Sequence, residues 1–406
     1  MKMSVYIIRR VLLLIPVLIG VMTITFAIIS ALPTEDRLAA YFGVHPLPGG
    51  GNPYSPTIPC TSIGINQPGN CSNPIYHRDI NQLGLNQPLP VQWAVYMGNI
   101  FTLHWGTTNP SSQATKELPL PPNAPVTEVL GWYLPFTLEL AFLALAIIMV
   151  IAIPLGNYSA VYRNRPIDQT TRIVSFSGFA LPTFLLGTLL LIAFTFIGGG
   201  FIPQCNGTST TFAQFYGSWP AASCLPGNPA VLPPFVHQWQ NTGPTGFPTI
   251  DALLYGGATG WYLAGDSIFR MLLPALTIAF GGVAVILRYV RNSMLEVMNF
   301  DFVRTARAKG VPEAQVIRRH AGRNSLNVTI TVLGLTFAFF IAGFPVIEIL
   351  YHLHGVGLIF AYSVQQPTPD FGLIFGTTLL FTIVVVIANI VVDVLYAYLD
   401  PRVRLG

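Results

Sequence analysis

The chain reads as an all-α membrane protein with six transmembrane helices and two loop-rich external inserts, on three observations. Of its 406 residues, 52% are hydrophobic and only 9% charged, with a mean hydropathy of +0.57; soluble domains carry about 25% charged residues. The apolar residues gather in runs long enough to cross a hydrocarbon core of roughly 30 Å. Given those runs, only Arg37, Arg78, Lys116 and Arg270 of the 20 Lys and Arg residues fall on one side. The others share the opposite side, which the positive-inside rule makes cytoplasmic and which puts both termini there.

Residues 1–32 form the N-terminal helix, with the apolar run at 11–32 behind Arg9 and Arg10. A cleaved signal peptide is the alternative, disfavoured because the run exceeds the usual apolar core of such peptides and no small-x-small cleavage site follows. Pro16 and Gly20 are of the kind that membrane helices tolerate. Residues 33–130 are an extracytoplasmic segment rich in Pro, Gly, Asn and Gln, expected to be irregular apart from a short helix near residues 91–101.

Residues 131–406 hold the other five spans, with a second external insert at 198–265 and a basic cytoplasmic loop at 291–325. The second span, 132–156, contains Glu139. An acidic residue is costly there, so it should face another helix as a packing partner or, second choice, line a water path. Arg163, Arg165, Asp168 and Arg172 mark a short cytoplasmic turn. The third span, 173–197, is interrupted by Gly178, Pro182 and Gly187, which permit a bend or close helix contact. The fourth is 268–287, the fifth 326–350 with Glu348 near its end, and the sixth 371–399.

The four cysteines, Cys60, Cys71, Cys205 and Cys224, fall two to each external segment. Local disulfides, Cys60 with Cys71 and Cys205 with Cys224, are the simplest reading in an oxidising compartment; pairing between the segments is the rival. No Cys-x-x-Cys or clustered His accompanies them, so no metal site is expected. Asn70 and Asn206 begin glycosylation tripeptides, a weak signal because such triplets arise by chance.

Between the fourth and fifth spans lies a polar island, residues 299–324, NFDFVRTARAKGVPEAQVIRRHAGRN. Gly310 and Pro312 split it into two helices, Gly as the left-handed residue past one helix end and Pro in the first turn of the next. The first helix is short and small-residued at Thr305, Ala306 and Ala308, and can present a compact face to a soluble partner. A solvated positive-inside loop is the plain alternative.

The string Arg304-Thr305-Ala306-Arg307-Ala308-Lys309-Gly310 resembles the Glu-Ala-Ala-x3-Gly loop of binding-protein-dependent ABC importer permeases. Arg304 replaces the Glu, as is typical of the dipeptide and oligopeptide branch. GLNQPLPVQW at 84–93, TLELA around Glu139, ALPTFLLG around Pro182, Glu348 before a Gly-rich turn, and LDPRVR at 399–404 extend the resemblance over nearly the whole chain outside the inserts. Departures are His104-Trp105-Gly106 for a Gly-Asp-Leu-Gly run, Asn327-Val328 where relatives carry Pro, and His354-Gly355-Val356-Gly357 for a Trp-Pro-Gly-Leu-Gly turn.

The resemblance implies a type I importer permease whose residues 304–310 couple to cytoplasmic ATPases. It also implies a second permease subunit, two ATPases carrying ATP and Mg, a solute-binding protein, and di- or oligopeptide cargo, with oligosaccharides or another solute as the alternative. The inserts read as this chain's own elaboration. No Gly-x4-Gly-Lys-Ser/Thr phosphate loop occurs, so nucleotide chemistry belongs to a partner. A secondary transporter is the rival class; it should show internal repeats and several mid-membrane ionisable residues, and no clear repeat is found. No nucleophile-base cluster suggests an enzyme, and no aromatic stacking platform suggests nucleic-acid binding.

Overall fold

The computed structural model describes residues 3–42, 54–60, 69–118, 120–197, 245–255, 257, 260–343, 345–351, 353–366 and 368–399. Cys205, Cys224, Asn206, Arg402 and Arg404 lie outside the described residues. The chain divides into two compact units. One comprises Leu14–Leu134 and Gly355–Ile383, the other Met1–Leu13, Pro135–His354 and Val384–Gly406.

The first unit contains most of α1 (Met3–Ser30), then α2 (Thr34–Phe42), β1 (Thr57–Pro59), β2 (Asn70–Ser72), α3 (Pro74–Leu83), α4 (Leu89–Phe101) and α5 (Gln113–Glu117). This segment is more regular than its composition predicts, because several loop-signalling residues act as helix caps. The Asn73 side chain accepts hydrogen bonds from the N–H groups of Ile75 (3.0 Å) and Tyr76 (3.4 Å), Pro74 opens α3, and Gly84 ends it at φ 65°. The helix expected at 91–101 is α4. Ile58 faces Cys71 in the antiparallel β1–β2 ribbon, and a Cys60–Cys71 disulfide closes it, the local pairing expected for these two cysteines. Asn70 is exposed on that ribbon.

Met22, Phe26 and Ile29 of α1 pack with Tyr96, Met97 and Ile100 of α4 in one apolar cluster. A second tie in this unit is polar. Asp370, fully buried just before α16 (Phe371–Leu399), accepts from Asn109 N (2.7 Å), Leu373 N (3.0 Å) and Ser112 Oγ (3.3 Å). A Cβ on Gly372 would lie 2.6 Å from the Thr107 carbonyl oxygen, so glycine is what lets the start of α16 approach this backbone.

The second unit contains most of α6 (Val126–Val161), then α7 (Pro166–Ala180), α8 (Thr183–Ile197), α9 (Pro248–Tyr255), α10 (Gly260–Val297), α11 (Asp301–Ala308), α12 (Glu313–Gln315), α13 (Arg323–Gly343) and α14 (Pro345–Tyr351); α15 (Val356–Ser363) belongs to the first unit. Its core joins Ile148 and Ala152 of α6, Ile286, Leu287 and Val290 of α10, and Leu333 of α13. Small residues permit this closeness: a Cβ on Gly156 would meet Val290 at 2.8 Å, and one on Gly178 would run into Ala284. The interruption at Pro182 is a bend of 105° between α7 and α8.

Among the described residues, three helices are long and apolar enough to cross a membrane, Val126–Val161, Ser267–Val297 and Phe371–Val394; counting each of two bent pairs as one span raises this to five. The apolar part of α1, Ile15–Ser30, is shorter than the span read from the sequence.

Candidate functional site

The basic island is a helix mounted on a small apolar base. On α11, Val303 and Ala306 are three residues apart and therefore share a face. Both are buried, against Met294 and Val297 of α10, Ala160 of α6, and Val316 and Ala321 beyond the turn. Arg304, Thr305, Arg307, Ala308, Lys309 and Gly310 are exposed. Ala306 is thus the anchor of the matched string, and its neighbours form the outward face. Full burial of a Val side chain is worth roughly 1.5–3 kcal/mol. The exposed Arg304–Asp301 pair, at 3.7 Å, is worth less than about 1 kcal/mol, so apolar contact holds the helix down.

Gly310 has φ 75°, and the chain turns there as the sequence predicts. Across that turn the Arg307 guanidinium grips Glu313 with two donors, Nη2 to Oε1 at 2.7 Å and Nε to Oε2 at 3.1 Å. This hydrogen bonding holds the Glu313 carboxyl below its ordinary range. Val316–Gly322 then winds as a π-helix, a rare form that concentrates at functional sites. Ser293 Oγ donates to the Ser325 carbonyl at 3.0 Å and joins α10 to the start of α13.

Two features of this region were not read from the sequence. Phe300 and Phe302 are 44% and 42% exposed, with ring centres 5.9 Å apart, and add an apolar edge to the cationic face. Asp168, placed by the sequence in a short cytoplasmic turn, is fully buried. It accepts from Ser159 Oγ (2.7 Å), Asn164 N (2.9 Å), Arg172 Nη2 (2.8 Å) and Arg291 Nε (2.6 Å). Asn164 permits the preceding turn at φ 63°. Arg291 precedes the island on α10, so the carboxylate fixes the α6–α7 turn to the helix that carries the island. The sequence signal available was the i,i+4 pair of Asp168 and Arg172 just inside a Pro-initiated helix.

The other predicted site residues serve separate helix contacts. Glu139 accepts from Thr249 N at 3.2 Å, at the start of α9. Buried Glu348 accepts from Thr137 Oγ1 at 2.9 Å. Pro182 lies at the bend. A largely apolar cavity of about 510 Å³ opens among α7, α8, α10 and α13, with Phe179, Thr183, Gly281, Gly282, Leu335 and Thr336 in its wall.

Comparison with known proteins gives a consistent result. Residues 152–405 match the family described as "Binding-protein-dependent transport system inner membrane component". The chain is 34% identical to the probable D,D-dipeptide transport system permease protein DdpB of Escherichia coli, over 80% of this chain and 83% of that one. It is 29% identical to the oligopeptide transport system permease protein AppB of Bacillus subtilis, over 99% and 100% of the two chains. Against the dipeptide transport system permease protein DppB of Alkalihalophilus pseudofirmus it is 28% identical, again over 99% and 100%.

Proposed function

The chain belongs to the binding-protein-dependent transport system inner membrane components, and from that premise we propose that it is a permease subunit of an ATP-driven importer of di- and oligopeptides. The peptide assignment is carried over from the names of the relatives, whose matches run through most or all of both chains. Oligosaccharide or another solute is the second choice of cargo.

The observation that carries the mechanism is the way α11 is mounted. Its exposed Arg304, Thr305, Arg307, Ala308 and Lys309 offer hydrogen-bonding and cationic groups to a soluble partner, while Val303 and Ala306 lock the helix to its base. A push on the exposed face therefore reaches α10, and the π-helical segment that leads into α13, through packed side chains rather than through a flexible loop. The assigned partner is a cytoplasmic ATPase, two copies of which bind and hydrolyse ATP with Mg. A second permease subunit completes the translocation path, and a solute-binding protein delivers cargo on the outer side.

Six spans follow if α1, α6, the bent α7–α8 pair, α10, α13 and α16 each cross once, with the bent segments after α13 on the outer side. That even number returns both termini to the cytoplasm, in accord with the charge distribution. The cavity beside Phe179 and Gly282 is this subunit's share of the path.

The test is purification of the tagged chain from its native membrane in mild detergent, with mass spectrometry of what accompanies it. Recovery of a second permease, ATPase subunits and a solute-binding protein is the expected result. Recovery of the chain alone, still transporting after reconstitution without ATP, assigns it to the secondary transporters and ends the importer reading.

A further inference from the structure

Four arginines converge on one cavity that the coupling role leaves unused. It measures about 410 Å³ and lies between α7 and the later turns of α10, with Arg163, Arg172, Arg288 and Arg291 in its wall together with Ser175 and Asn292. Among the described residues no acidic side chain lines it. Asp168, buried behind the wall, pins Arg172 and Arg291 in place through ion pairs of 2.8 and 2.6 Å. Arg288 lies over the Phe179 ring, its guanidinium carbon 5.2 Å from the ring centre. Four guanidinium groups against one carboxylate leave an excess of positive charge facing the cavity.

The same cavity has an apolar border. Phe176 and Phe179 are 70% and 53% exposed at its edge. From Met271 to Leu287 α10 carries no charged residue, so Arg288 and Arg291 sit where a hydrophobic stretch turns polar, the depth at which phospholipid headgroups lie. A cationic hollow edged by exposed aromatic rings matches an amphiphile that has an anionic head and an apolar stem. A free inorganic anion would have no use for the rings.

We propose that this cavity binds the phosphate of an anionic phospholipid headgroup, with Phe176 against the glycerol backbone and upper acyl chain and the Phe179 ring holding Arg288 in place. Guanidinium groups suit a phosphate because they donate two parallel hydrogen bonds to its oxygens. The site rests on the membrane orientation proposed above, and it holds whichever solute the transporter carries.

The test uses the assembled transporter in nanodiscs of equal phosphatidylglycerol and phosphatidylcholine, with native mass spectrometry of the lipid retained on this chain. The wild type is expected to retain phosphatidylglycerol in preference to phosphatidylcholine. Arg163→Gln with Arg288→Gln, which leaves the Asp168 ion pairs intact, should reduce that preference about tenfold. Arg318→Gln with Arg319→Gln removes the same charge from the island and should leave the preference unchanged. Equal retention of the two lipids, no retained lipid, or an unchanged preference in the Arg163/Arg288 variant overturns the proposal. Displacement of the lipid by millimolar inorganic phosphate assigns the cavity to a free anion and also overturns it. Because the readout is bound lipid, failure here is distinct from failure of the importer reading, which is read by subunit recovery.

Discussion

Asp168 and Asp370 are both fully buried, yet opposite chemistry holds them. Asp168 is met by two guanidinium groups, a hydroxyl and one backbone N–H. Among the described residues, Asp370 is met by neutral donors, two backbone N–H groups and a hydroxyl among them. Both join segments far apart in sequence, but one does so by ion pairing and the other by direction. An ionic tie fails when one partner is neutralised, because the opposite charge stays behind. Arg291 has only 12% of its side chain exposed, so it is poorly compensated by solvent when its carboxylate partner is lost. A tie of neutral donors loses its hydrogen bonds and strands no charge. The ionic tie therefore belongs where the island's supporting helix must be held firmly, and the neutral one where the chain enters α16.

The largest expected effect comes from applying one isosteric change to both. Asp168→Asn should destabilise the chain by roughly 3–5 kcal/mol, the cost of an orphaned buried charge. Asp370→Asn should cost roughly 1–3 kcal/mol, the cost of unpaired neutral donors. Thermal unfolding in detergent, with both variants run beside the wild type, measures the two. Equal losses would remove the distinction.

The disulfide comes next. Cys60 and Cys71 are 11 residues apart, and opening so short a loop should cost roughly 2–3 kcal/mol in the unit that holds Asp370. Faster limited proteolysis of Cys60→Ser/Cys71→Ser near the β1–β2 ribbon would report it, with the helices around Asp168 unaffected.

A smaller thermodynamic effect with a larger functional one is expected at Gly310. No atom lies within 4 Å of where its Cβ would be, so a side chain meets no clash and the cost is conformational. Gly310→Val at φ 75° should cost about 1–2 kcal/mol locally. Membrane insertion should persist while peptide uptake falls several-fold. Normal uptake would remove this turn from the coupling path.

The smallest effect is in pH. Burial raises the Asp370 carboxyl above its ordinary value, against the pull of donors from Leu373, Asn109 and Ser112. A folded-state value above the unfolded one means that this group favours the fold at low pH, and the contribution is lost as pH rises through the raised value. Glu313 has the opposite sign: its value is lowered, so its contribution is present above the unfolded value and lost as pH falls. Glu313 is exposed, and its contribution is correspondingly slight. Asp370→Asn should remove this low-pH gain, so that stability falls more steeply as pH is lowered, while Glu313→Gln should leave the profile nearly unchanged. The reverse pattern would contradict the assignment of the buried carboxylate.

Much of this arrangement was legible because its signals are local. The Arg304–Gly310 string, the turn at Gly310, the helix near residue 91 and the Cys60–Cys71 pairing all depend on residues close in sequence. The helix α3 was missed although its signal is local too, because Asn73-Pro74 in a Pro- and Asn-rich segment reads as loop until its capping geometry is seen. Asp168 and Asp370 were not legible as ties. Their partners Arg291 and Asn109 are 123 and 261 residues away, and nothing in one sequence marks such pairs. The 105° bend at Pro182 was readable as a break but not as an angle, since tertiary packing decides how far a proline interruption folds.

Site-specific photocrosslinking in intact cells reads whether the exposed face of α11 meets the ATPase. A photoreactive residue at exposed Ala308 should capture an ATPase subunit in cells that import peptide, while one at exposed Asn70 should not. An importing cell in which Ala308 captures no ATPase, or in which Asn70 does, would remove α11 from the ATPase interface.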